Sequence, residues 1–449
     1  MSAPPPARPG GMRAFGIVWS GQVVSRLGTA VAQFAFVVNI WRSGGSATDV
    51  VLLSLLTFLP RMLLSPLAGA LVDRWDRRVV LQMADLGGVV AIGGLTLAQV
   101  AGQLSTWHVY LAMVVLGAAE AFQFPALAAA IPQLVPQHRV QTANGLVSAA
   151  RSVGDIGGPA LGALLVVTVG LDAILTADLL SYLFAIATVW LVRIPRRAES
   201  TELRTPLAVD ALTGLRHILS VPGLRALVAL FFVVSFAAVF GFSVTQPMIL
   251  ARSGDSAMTL AAADAAIGFG TLLGGALLWV WRGPRRRIMA MLVGIAVTSV
   301  SAHMTMAVVR GAPAWFAASL VGAAFVPFIN GALASTVQGK TPAALHGRVF
   351  GAVFFLSQLA ALLAMILSGP LADHVFEPQA RTGTGVAGVL RPIVGDGPGS
   401  GMAAMLFLAG LCGLLAAVVG FLHRDLRDID RVGSAPDDPK PLTVQKGRA

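Results

Sequence analysis

The sequence predicts an all-α membrane protein whose twelve transmembrane helices form two six-helix lobes. Its 449 residues are 56% hydrophobic and 12% charged, whereas a soluble domain carries about 25% charged residues. Twelve apolar runs are long enough to cross a bilayer, and a weak internal repeat divides them six and six. These three observations together exclude a string of soluble domains.

The composition also excludes several other kinds of site. A net charge of +11 is common in nucleic-acid-binding proteins, but here the basic residues are spread over short loops, so no nucleic-acid partner is expected. The single cysteine, Cys412, lies inside an apolar run, which excludes an intramolecular disulfide and a cysteine-rich metal site. We therefore predict no cofactor and no metal.

The twelve runs can each form a membrane-spanning helix, which needs about 20 apolar residues. An even number of spans places both termini on the same side of the membrane. The predicted spans are 15–41, 50–71, 79–101, 107–131, 140–168, 171–193, 224–250, 258–281, 288–309, 313–338, 349–372 and 401–423.

Lysine and arginine indicate which side holds the termini, because they are enriched in cytoplasmic loops. Of the 32 such residues, three fall inside spans and five fall in loops on one side, so the remaining 24 lie on the side of the termini. We predict that both termini are cytoplasmic. The five residues on the opposite side are Arg42, Arg252, Arg310, Arg381 and Arg391.

The longest predicted cytoplasmic connection separates the two lobes. Within it, Thr205 and Pro206 are typical of a helix start, and apolar residues follow at helical spacing. They predict an amphipathic helix against the membrane face, although a plain linker is the alternative. The predicted segments are a flexible tail (1–14), the N-terminal lobe (15–193), the linker (194–223), the C-terminal lobe (224–423) and a disordered tail (424–449).

An internal repeat relates the two halves. LVPQHRVQTANG (134–145) and KTPAALHGRVFG (340–351) align at an offset of 206 residues, and Gly158-Pro159 recurs as Gly369-Pro370. Secondary transporters often have such repeats, with the substrate site at the repeat interface near the midplane. The sequence contains no phosphate loop, zinc pattern or nucleophile elbow, so it does not indicate an enzyme.

The loop between predicted spans two and three, GALVDRWDRR (69–78), resembles the signature of the major facilitator superfamily, and departs from it at Asp76, where the family usually has glycine. The resemblance implies the fold of that superfamily and a latch between conformations. A positively charged loop with no switching role is the alternative. Asp85, seven residues further on, is expected to pair with Arg77 or Arg78. The latch candidates are Gly69, Asp73, Arg74, Arg77, Arg78 and Asp85.

Span five carries GDIGGPALGA (154–163), which resembles a motif associated with antiporters of this superfamily; its small residues allow close helix packing. With SRLGTA in span one, the pattern is similar to the twelve-span drug:proton antiporter branch that exports macrolides and siderophores. The arginine that many drug antiporters carry in span four is absent, and the region around Met113 is apolar. The candidate packing residues are Gly154, Gly158, Pro159 and Gly162.

This resemblance implies proton-coupled efflux of an amphipathic small molecule by alternating access. The expected partners are that substrate, protons and the lipid bilayer. The expected location is a bacterial cytoplasmic (inner) membrane, and a monomer is expected. Two alternatives remain: a proton-independent facilitator or lysophospholipid translocator of the same superfamily, and a membrane sensor that does not transport.

Ionisable residues inside the predicted spans mark candidate functional positions, because each costs at least about 2.5–3.5 kcal/mol there. They form a predicted charge network of Arg26, Arg61 and Arg151 in the N-terminal lobe. Glu120 is the first candidate for proton exchange, and a permanent ion pair with Arg26 or Arg61 is the alternative. Asp155 is the second candidate, although its i, i+4 spacing from Arg151 favours a structural pair.

Other polar residues in spans are candidates for lining the substrate path. Amides in spans more often join helices, and His303 is expected to be a buried, hydrogen-bonded histidine. The glycine-rich segment 374–400 is expected to be a flexible outer loop. The path-lining candidates are Asp178, Gln246, Asp264, Asn330 and Gln358.

Overall fold

The computed structural model describes residues 11–192, 207–281, 286–427 and 429. Within these residues, twelve helices are long and apolar enough to span a membrane, which confirms the predicted fold class. Numbered 1 to 12, the spans are Gly11–Arg42, Ala47–Gly69, Arg77–Val100, Thr106–Leu134, Gln137–Thr168, Gly170–Leu191, Pro222–Ser253, Ala257–Val280, Arg287–Val308, Ala312–Lys340, Ala343–Thr382 and Ser400–Leu422.

Helix packing repeats between the two halves of the chain. In the first half, span 1 packs on spans 5 and 6, span 2 on span 4, and span 3 on spans 4 and 6. In the second half, span 7 packs on spans 11 and 12, span 8 on span 10, and span 9 on spans 10 and 12. Each pair in one lobe therefore has a counterpart six spans later, as a duplicated six-helix unit requires.

The sequence repeat is also visible in the backbone. A 3₁₀ turn, Gln137–Arg139, precedes the main helix of span 5, and a second one, Ala343–Leu345, precedes that of span 11. Arg139 and Leu345, at the ends of these turns, both have φ −107° and ψ −4°. The offset of 206 residues therefore relates positions with the same local conformation.

Several spans of the second lobe are interrupted, whereas the first-lobe spans are continuous apart from the turn that opens span 5. Interruptions in a transmembrane helix expose backbone polar groups, which neighbouring helices must satisfy. The segments are Pro222–Ser243 and Thr245–Ser253 in span 7; Arg287–Thr298, a π-helix Ser299–Thr305 and Met306–Val308 in span 9; Ala312–Ala324 and Val326–Lys340 in span 10; His346–Leu371, a π-helix Ala372–Phe376 and Glu377–Thr382 in span 11.

The two faces of the helix bundle differ in how the lobes meet. We define the linker face as the face where spans 1 and 7 begin and spans 6 and 12 end, and the distal face as the opposite one. Towards the distal face, one apolar cluster includes buried residues of both lobes, such as Leu53 and Met248. Towards the linker face, each lobe has a separate apolar cluster. Among the residues that the structure describes, the lobes therefore share a core in the distal half.

The segment between the lobes contains a helix, Leu207–Ser220. Thr205 and Pro206, which the sequence suggests as its start, lie outside the described residues. Ile218 is buried in the apolar cluster of the C-terminal lobe at the linker face. A Cβ at Gly214 would meet the carbonyl oxygen of Arg348, so the helix contacts span 11 directly in addition to any contact with the membrane.

Both predicted tails differ from the structure where it describes them. Span 1 begins at Gly11, and Phe15 is fully buried. Beyond span 12, Arg424–Arg427 form a helical turn, and Leu426 and Ile429 are both 3% exposed. The rest of the two predicted tails lies outside the described residues.

The small residues of the span 5 motif pack against span 1 in register. A Cβ at Gly154 would contact Arg26, one at Gly158 would lie 2.5 Å from Ala30 Cβ, and one at Gly162 would lie 2.9 Å from the Phe34 ring. The spacing of four residues on both helices keeps the contact along one helix face. These glycines therefore set the distance between spans 1 and 5.

We expect Gly158→Ala to lower the thermal unfolding midpoint of the purified protein, because overpacking costs about 1–3 kcal/mol. The matched control is Gly145→Ala on the same span, where a Cβ would meet nothing within 4 Å; it should leave the midpoint equal or higher. Adding Ala30→Gly to Gly158→Ala should recover part of the loss. Equal midpoints for the two single variants would contradict the contact.

Candidate functional site

A cavity of about 410 Å³ lies between the lobes, on the side of the shared apolar core towards the linker face. Its wall is mainly from the N-terminal lobe, and the C-terminal lobe contributes three residues. The lining residues are Arg26, Ala30, Gln33, Phe34 and Val37 of span 1, Leu53, Ser54, Thr57, Phe58 and Arg61 of span 2, Met113 and Glu120 of span 4, Gly154, Asp155 and Pro159 of span 5, and Gln246, Asp264 and Met365 of the C-terminal lobe.

Glu120 forms an ion pair with Arg61. The Arg61 guanidinium donates to the Glu120 carboxylate at 3.3 Å, and the two side chains are 47% and 28% exposed. Arg61 also lies over the Phe58 ring, 5.7 Å from its centre, a distance suited to a cation–π contact. The sequence left two alternatives for Glu120, proton exchange or an ion pair with Arg26 or Arg61, and in this conformation Glu120 is paired with Arg61. Its role in proton exchange stays a prediction.

Asp155 pairs with Arg26 of span 1, and the predicted pair with Arg151 is wrong. The Arg26 guanidinium donates to Asp155 at 3.4 Å, whereas Arg151 lies over the Phe124 ring at 4.9 Å. The i, i+4 spacing identifies possible partners on the same helix and does not consider side chains of other helices. Gly154 leaves space for the Arg26 side chain, whose Cγ would lie 3.3 Å from a Cβ at position 154. Arg26 of span 1 can therefore approach Asp155 and pair with it.

The C-terminal lobe contributes one carboxylate to the cavity. Asp264 of span 8 accepts a hydrogen bond from the Gln246 side chain of span 7 at 3.0 Å. Asp264 forms no ion pair with any residue that the structure describes. Both residues line the cavity, as the sequence suggests for a path, and they do so as a hydrogen-bonded pair.

The other path-lining candidates lie elsewhere in this conformation. Asn330 lines a separate cavity of about 150 Å³ inside the C-terminal lobe, and Gln358 lines neither cavity. Asp178 is fully buried between spans 1 and 6 rather than on a path. One of its oxygens lies 3.4 Å from Thr29 Oγ1 and 3.1 Å from Ser181 Oγ.

His303 also lines the smaller cavity. It is 8% exposed, and its Nδ1 and Nε2 lie 3.3 Å and 3.4 Å from the carbonyl oxygens of Thr298 and Ala238. The buried, hydrogen-bonded histidine expected from the sequence is present. It belongs to the packing of span 9 on span 7 and is separate from the charges of the main cavity.

Asp85 does not pair with Arg77 or Arg78, contrary to the expectation from the sequence. It is fully buried and accepts hydrogen bonds from the side-chain amides of Gln22 and Gln123, both at 2.9 Å. Arg78 instead donates to the Trp190 carbonyl oxygen at 2.6 Å. The carboxylate is therefore held by neutral donors of spans 1 and 4, about two helix turns along span 3 from the loop arginines.

The loop motif itself begins span 3. Asp76, where the family usually has glycine, is the N-cap and accepts from the Arg78 amide at 3.0 Å. Aspartate is among the preferred N-cap residues. Arg77 is 8% exposed, Arg74 is exposed and Gly69 has open space around it. The side chain of Asp73 lies outside the described part of the chain, and the latch stays a prediction.

Two hydrogen-bonded contacts join the lobes at the distal face. At the first, Trp41 Nε1 donates to the Asp255 carboxylate at 2.8 Å, and Arg42 donates to the Asp255 carbonyl oxygen at 2.9 Å. Gly254 and Asp255 are both left-handed, with φ of 65° and 60°. Aspartate tolerates this conformation better than most residues, and the turn presents both of its oxygens to the end of span 1.

At the second contact, a residue of one lobe caps a helix of the other. The Asp373 carboxylate accepts from the backbone amides of Ala47 and Thr48, at 3.0 Å and 2.8 Å, and from the Thr48 hydroxyl at 2.6 Å. The first amides of a helix have no partner within it, and a negative charge there is favourable. Ser46 accepts from the Asp49 amide, so the start of span 2 is completed by both lobes.

The predicted flexible outer loop is largely ordered. Residues 374–400 include the helices Glu377–Thr382 and Gly385–Val394, and Arg252 ties the second of these to span 9 by donating to the carbonyl oxygens of Val394 and Ala307. Arg391 pairs with Asp396, and the hydrogen bond from Arg391, together with its charge, lowers the pKa of the Asp396 carboxyl. Glycine supplies the turns of this segment rather than disorder, as at Gly383 with φ 71°.

Asp255 and Asp373, the two acids at the distal contacts, are not among the functional residues predicted from the sequence. The sequence does contain a signal for both acids. Each lies at the distal end of a predicted span, and acidic residues there have no part in the lysine and arginine bias that sets the orientation of the protein. Their partners, however, belong to the other lobe and are 213 and 325 or more residues away in the chain. The described residues contain no cluster of three or more metal-ligating side chains.

Two matched six-helix lobes around a central cavity with charged and apolar walls define a membrane transporter. The chain belongs to the Major Facilitator Superfamily, whose family model matches residues 18–365. The resemblance to this superfamily, which the loop motif of residues 69–78 indicates, is therefore confirmed. The chain is a multi-pass membrane transporter.

The chain is similar to two proteins that are named as efflux proteins. The chain is 29% identical over 369 residues to Macrolide efflux protein A of Streptococcus pyogenes, covering 80% of this chain and 90% of that protein. It is 26% identical over 361 residues to the Multidrug efflux pump Tap of Mycolicibacterium fortuitum, covering 77% and 86%.

The fold is similar to that of a bacterial homologue of the human lysosomal transporter Spinster, solved in an inward-facing, unoccupied conformation. The TM-score is 0.66 at 16% sequence identity, over 95% of this chain and 98% of that one. At this identity the likeness concerns the fold.

We expect Arg61 and Glu120 to be energetically coupled, since removing either charge leaves the other without its partner. Thermal stability of Arg61→Gln, Glu120→Gln and the double variant should give a coupling of about 0.5–3 kcal/mol. The comparison cycle, Arg26→Gln with Asp155→Asn, should give a smaller value, because those side chains are 44% and 57% exposed and solvent screens the pair. Additive losses at Arg61 and Glu120 would contradict the pairing.

Proposed function

We propose that this transporter exports amphipathic small molecules of the macrolide type from a bacterial cell in exchange for protons, by alternating access. The observation that carries the proposal is the cavity: it lies between the lobes, and the lobes are joined on its distal side. The efflux relatives that cover most of the chain support the direction of transport.

The linker face is the cytoplasmic face under this proposal, because the 24 basic loop residues on that side follow the positive-inside rule. Among residues whose partners the structure describes, the hydrogen bonds between the lobes all lie at the distal face. The shared apolar core lies on that side as well. The conformation is therefore one that would load substrate from the cytoplasm.

The lining suits an amphipathic substrate. Phe34, Phe58, Met113 and Met365 provide apolar and adaptable contact surface, while two ion pairs and the polar side chains of Gln33 and other residues provide hydrogen-bonding groups. Both ion pairs are neutral as a whole, so an uncharged part of a substrate can lie against them without leaving a charge unbalanced. A large molecule with an apolar body and a few polar groups fits such a wall.

Proton coupling is supported by the acids that face the cavity. Glu120, Asp155 and Asp264 all line it, and ionisable residues inside transporters commonly serve proton or ion pathways. Expulsion of substrate then requires the distal contacts to open and the linker side to close. The loop motif of residues 69–78, by its family resemblance, is proposed to latch the second conformation.

The test is accumulation of erythromycin in energised bacterial cells that express the protein, with and without a protonophore. We expect several-fold lower accumulation than in cells with an empty vector, and we expect the protonophore to abolish the difference. Lower accumulation that survives the protonophore would contradict proton coupling and favour the facilitator. Saturable binding with no flux in proteoliposomes would instead favour a sensor.

We expect Asp373→Asn to open the distal face more often, because the amide cannot accept from two backbone amides and a hydroxyl as the carboxylate does. In a Cys412→Ala background, labelling of Val37→Cys in the cavity wall by an impermeant maleimide added outside cells should become several-fold faster.

The matched control for the distal contact is Asp396→Asn, an exposed distal acid whose partner, Arg391, lies in the same lobe. It should leave the labelling rate unchanged. An equal rate for Asp373→Asn and the parent protein would show that this contact does not hold the distal face closed.

A further inference from the structure

The three acids of the main cavity differ in electrostatic environment. Glu120 and Asp155 each lie against an arginine of another span, at 3.3 Å and 3.4 Å. Asp264 accepts a single hydrogen bond from the neutral amide of Gln246. Among the described residues that line the cavity, Asp264 is therefore the acid without a cation beside it.

The elements packed against span 8 do not supply the missing charge. Span 5 carries Arg151, which lies over the Phe124 ring, and Asp155, which is paired with Arg26. Span 7 carries Gln246 near Asp264, and its Arg252 is bound to backbone carbonyls at the distal end. Span 10 has no ionisable residue except Lys340, its last residue at the linker face.

Asp264 also has no ionisable neighbour on its own helix. Span 8, Ala257–Val280, contains no other Asp, Glu, Lys, Arg or His. Leaving an ionised group without a counter-charge inside a membrane protein is costly. The Asp264 carboxyl group is therefore either protonated and neutral, or ionised and paired with a positively charged ligand.

We propose that Asp264 is the site at which a proton and the cationic head group of a substrate replace one another. This inference rests on the proposed function and names the residue that would exchange the proton. The substrate class is an organic cation, such as a protonated amine, whose apolar body lies against Phe34, Phe58 and Met365. One carboxylate holds one proton or one head group, so each cation bound displaces one proton.

The position of Asp264 connects this exchange to the distal contact. Gln246 and Asp264 bracket the turn that contains Gly254 and Asp255, and Asp255 binds Trp41 and Arg42 of the other lobe. A head group that takes the Asp264 carboxylate from Gln246 removes the hydrogen bond that ties together the two helices flanking this turn. Occupation of the site thus acts on a segment that joins the lobes.

The experiment uses the purified full-length protein in weakly buffered detergent solution, with tetraphenylphosphonium as the probe. Because this cation has no titratable group, any pH dependence of its binding comes from the protein. We expect the parent protein to release about one proton for each cation bound. Asp264→Asn should bind the probe about tenfold or more weakly, as loss of a charged partner predicts, with no proton release.

Two variants serve as controls. Asp264→Glu should retain proton release, and Asp396→Asn, which changes an exposed acid of the same lobe outside the cavity, should leave it intact. Asp264→Asn should melt at a temperature no lower than the parent, because it removes an unpaired charge. The proposal would be overturned if Asp264→Asn still released protons, if Glu120→Gln were the only variant that lost proton release, or if the parent protein did not bind the probe.

A second measurement separates this proposal from the proposed function. In proteoliposomes with an imposed pH gradient, the parent should accumulate the probe and Asp264→Asn should not, while substrate exchange without a gradient persists in both. If Asp264→Asn accumulates the probe like the parent, the site is wrong and the function stands. If the parent releases protons on binding but no gradient drives transport, the function is wrong and the site stands.

Discussion

The structure depends on one electrostatic constraint: a charge within the membrane must be balanced by a group close to it. In the N-terminal lobe this constraint produces ion pairs between different spans, Arg61 with Glu120 and Arg26 with Asp155. Asp85 is held by two amide side chains instead. Each of these contacts fixes the relative position of two helices, so the charges organise the N-terminal lobe as well as the cavity wall.

The distal closure has a different physical origin. There the free amides of a helix start need acceptors, and Asp373 of the opposite lobe supplies them. Separating the lobes would expose unpaired donors, while the shared apolar cluster around Leu53 and Met248 would lose its contacts. The linker half has two separate clusters and no comparable bond among the described partners. The asymmetry between the two faces follows from the position of the start of span 2, where Ser46 binds one amide and the amides of Ala47 and Thr48 are left for the other lobe.

Much of the architecture could be predicted from the sequence, because span length, loop charge and repeat spacing are local properties. The pairing of charges could not. Arg151 and Asp155 satisfy the spacing rule of one helix, yet Gly154 admits Arg26 from span 1. Asp85 is close in sequence to Arg78 but faces Gln22 and Gln123. Residues 374–400 contain enough glycine to suggest flexibility, and their order comes from contacts such as that of Arg252 with Val394.

The matched 3₁₀ turns before spans 5 and 11 show how little the side chain contributes to the shape of this connection. Arg139 and Leu345 hold the same backbone angles although one is basic and the other apolar. The turn therefore tolerates either kind of residue without a change in the direction of the span that follows it. The two halves share a backbone scaffold while their side chains differ, and the cavity shows the same division, because the N-terminal lobe supplies most of its charged groups and the C-terminal lobe supplies a single acid.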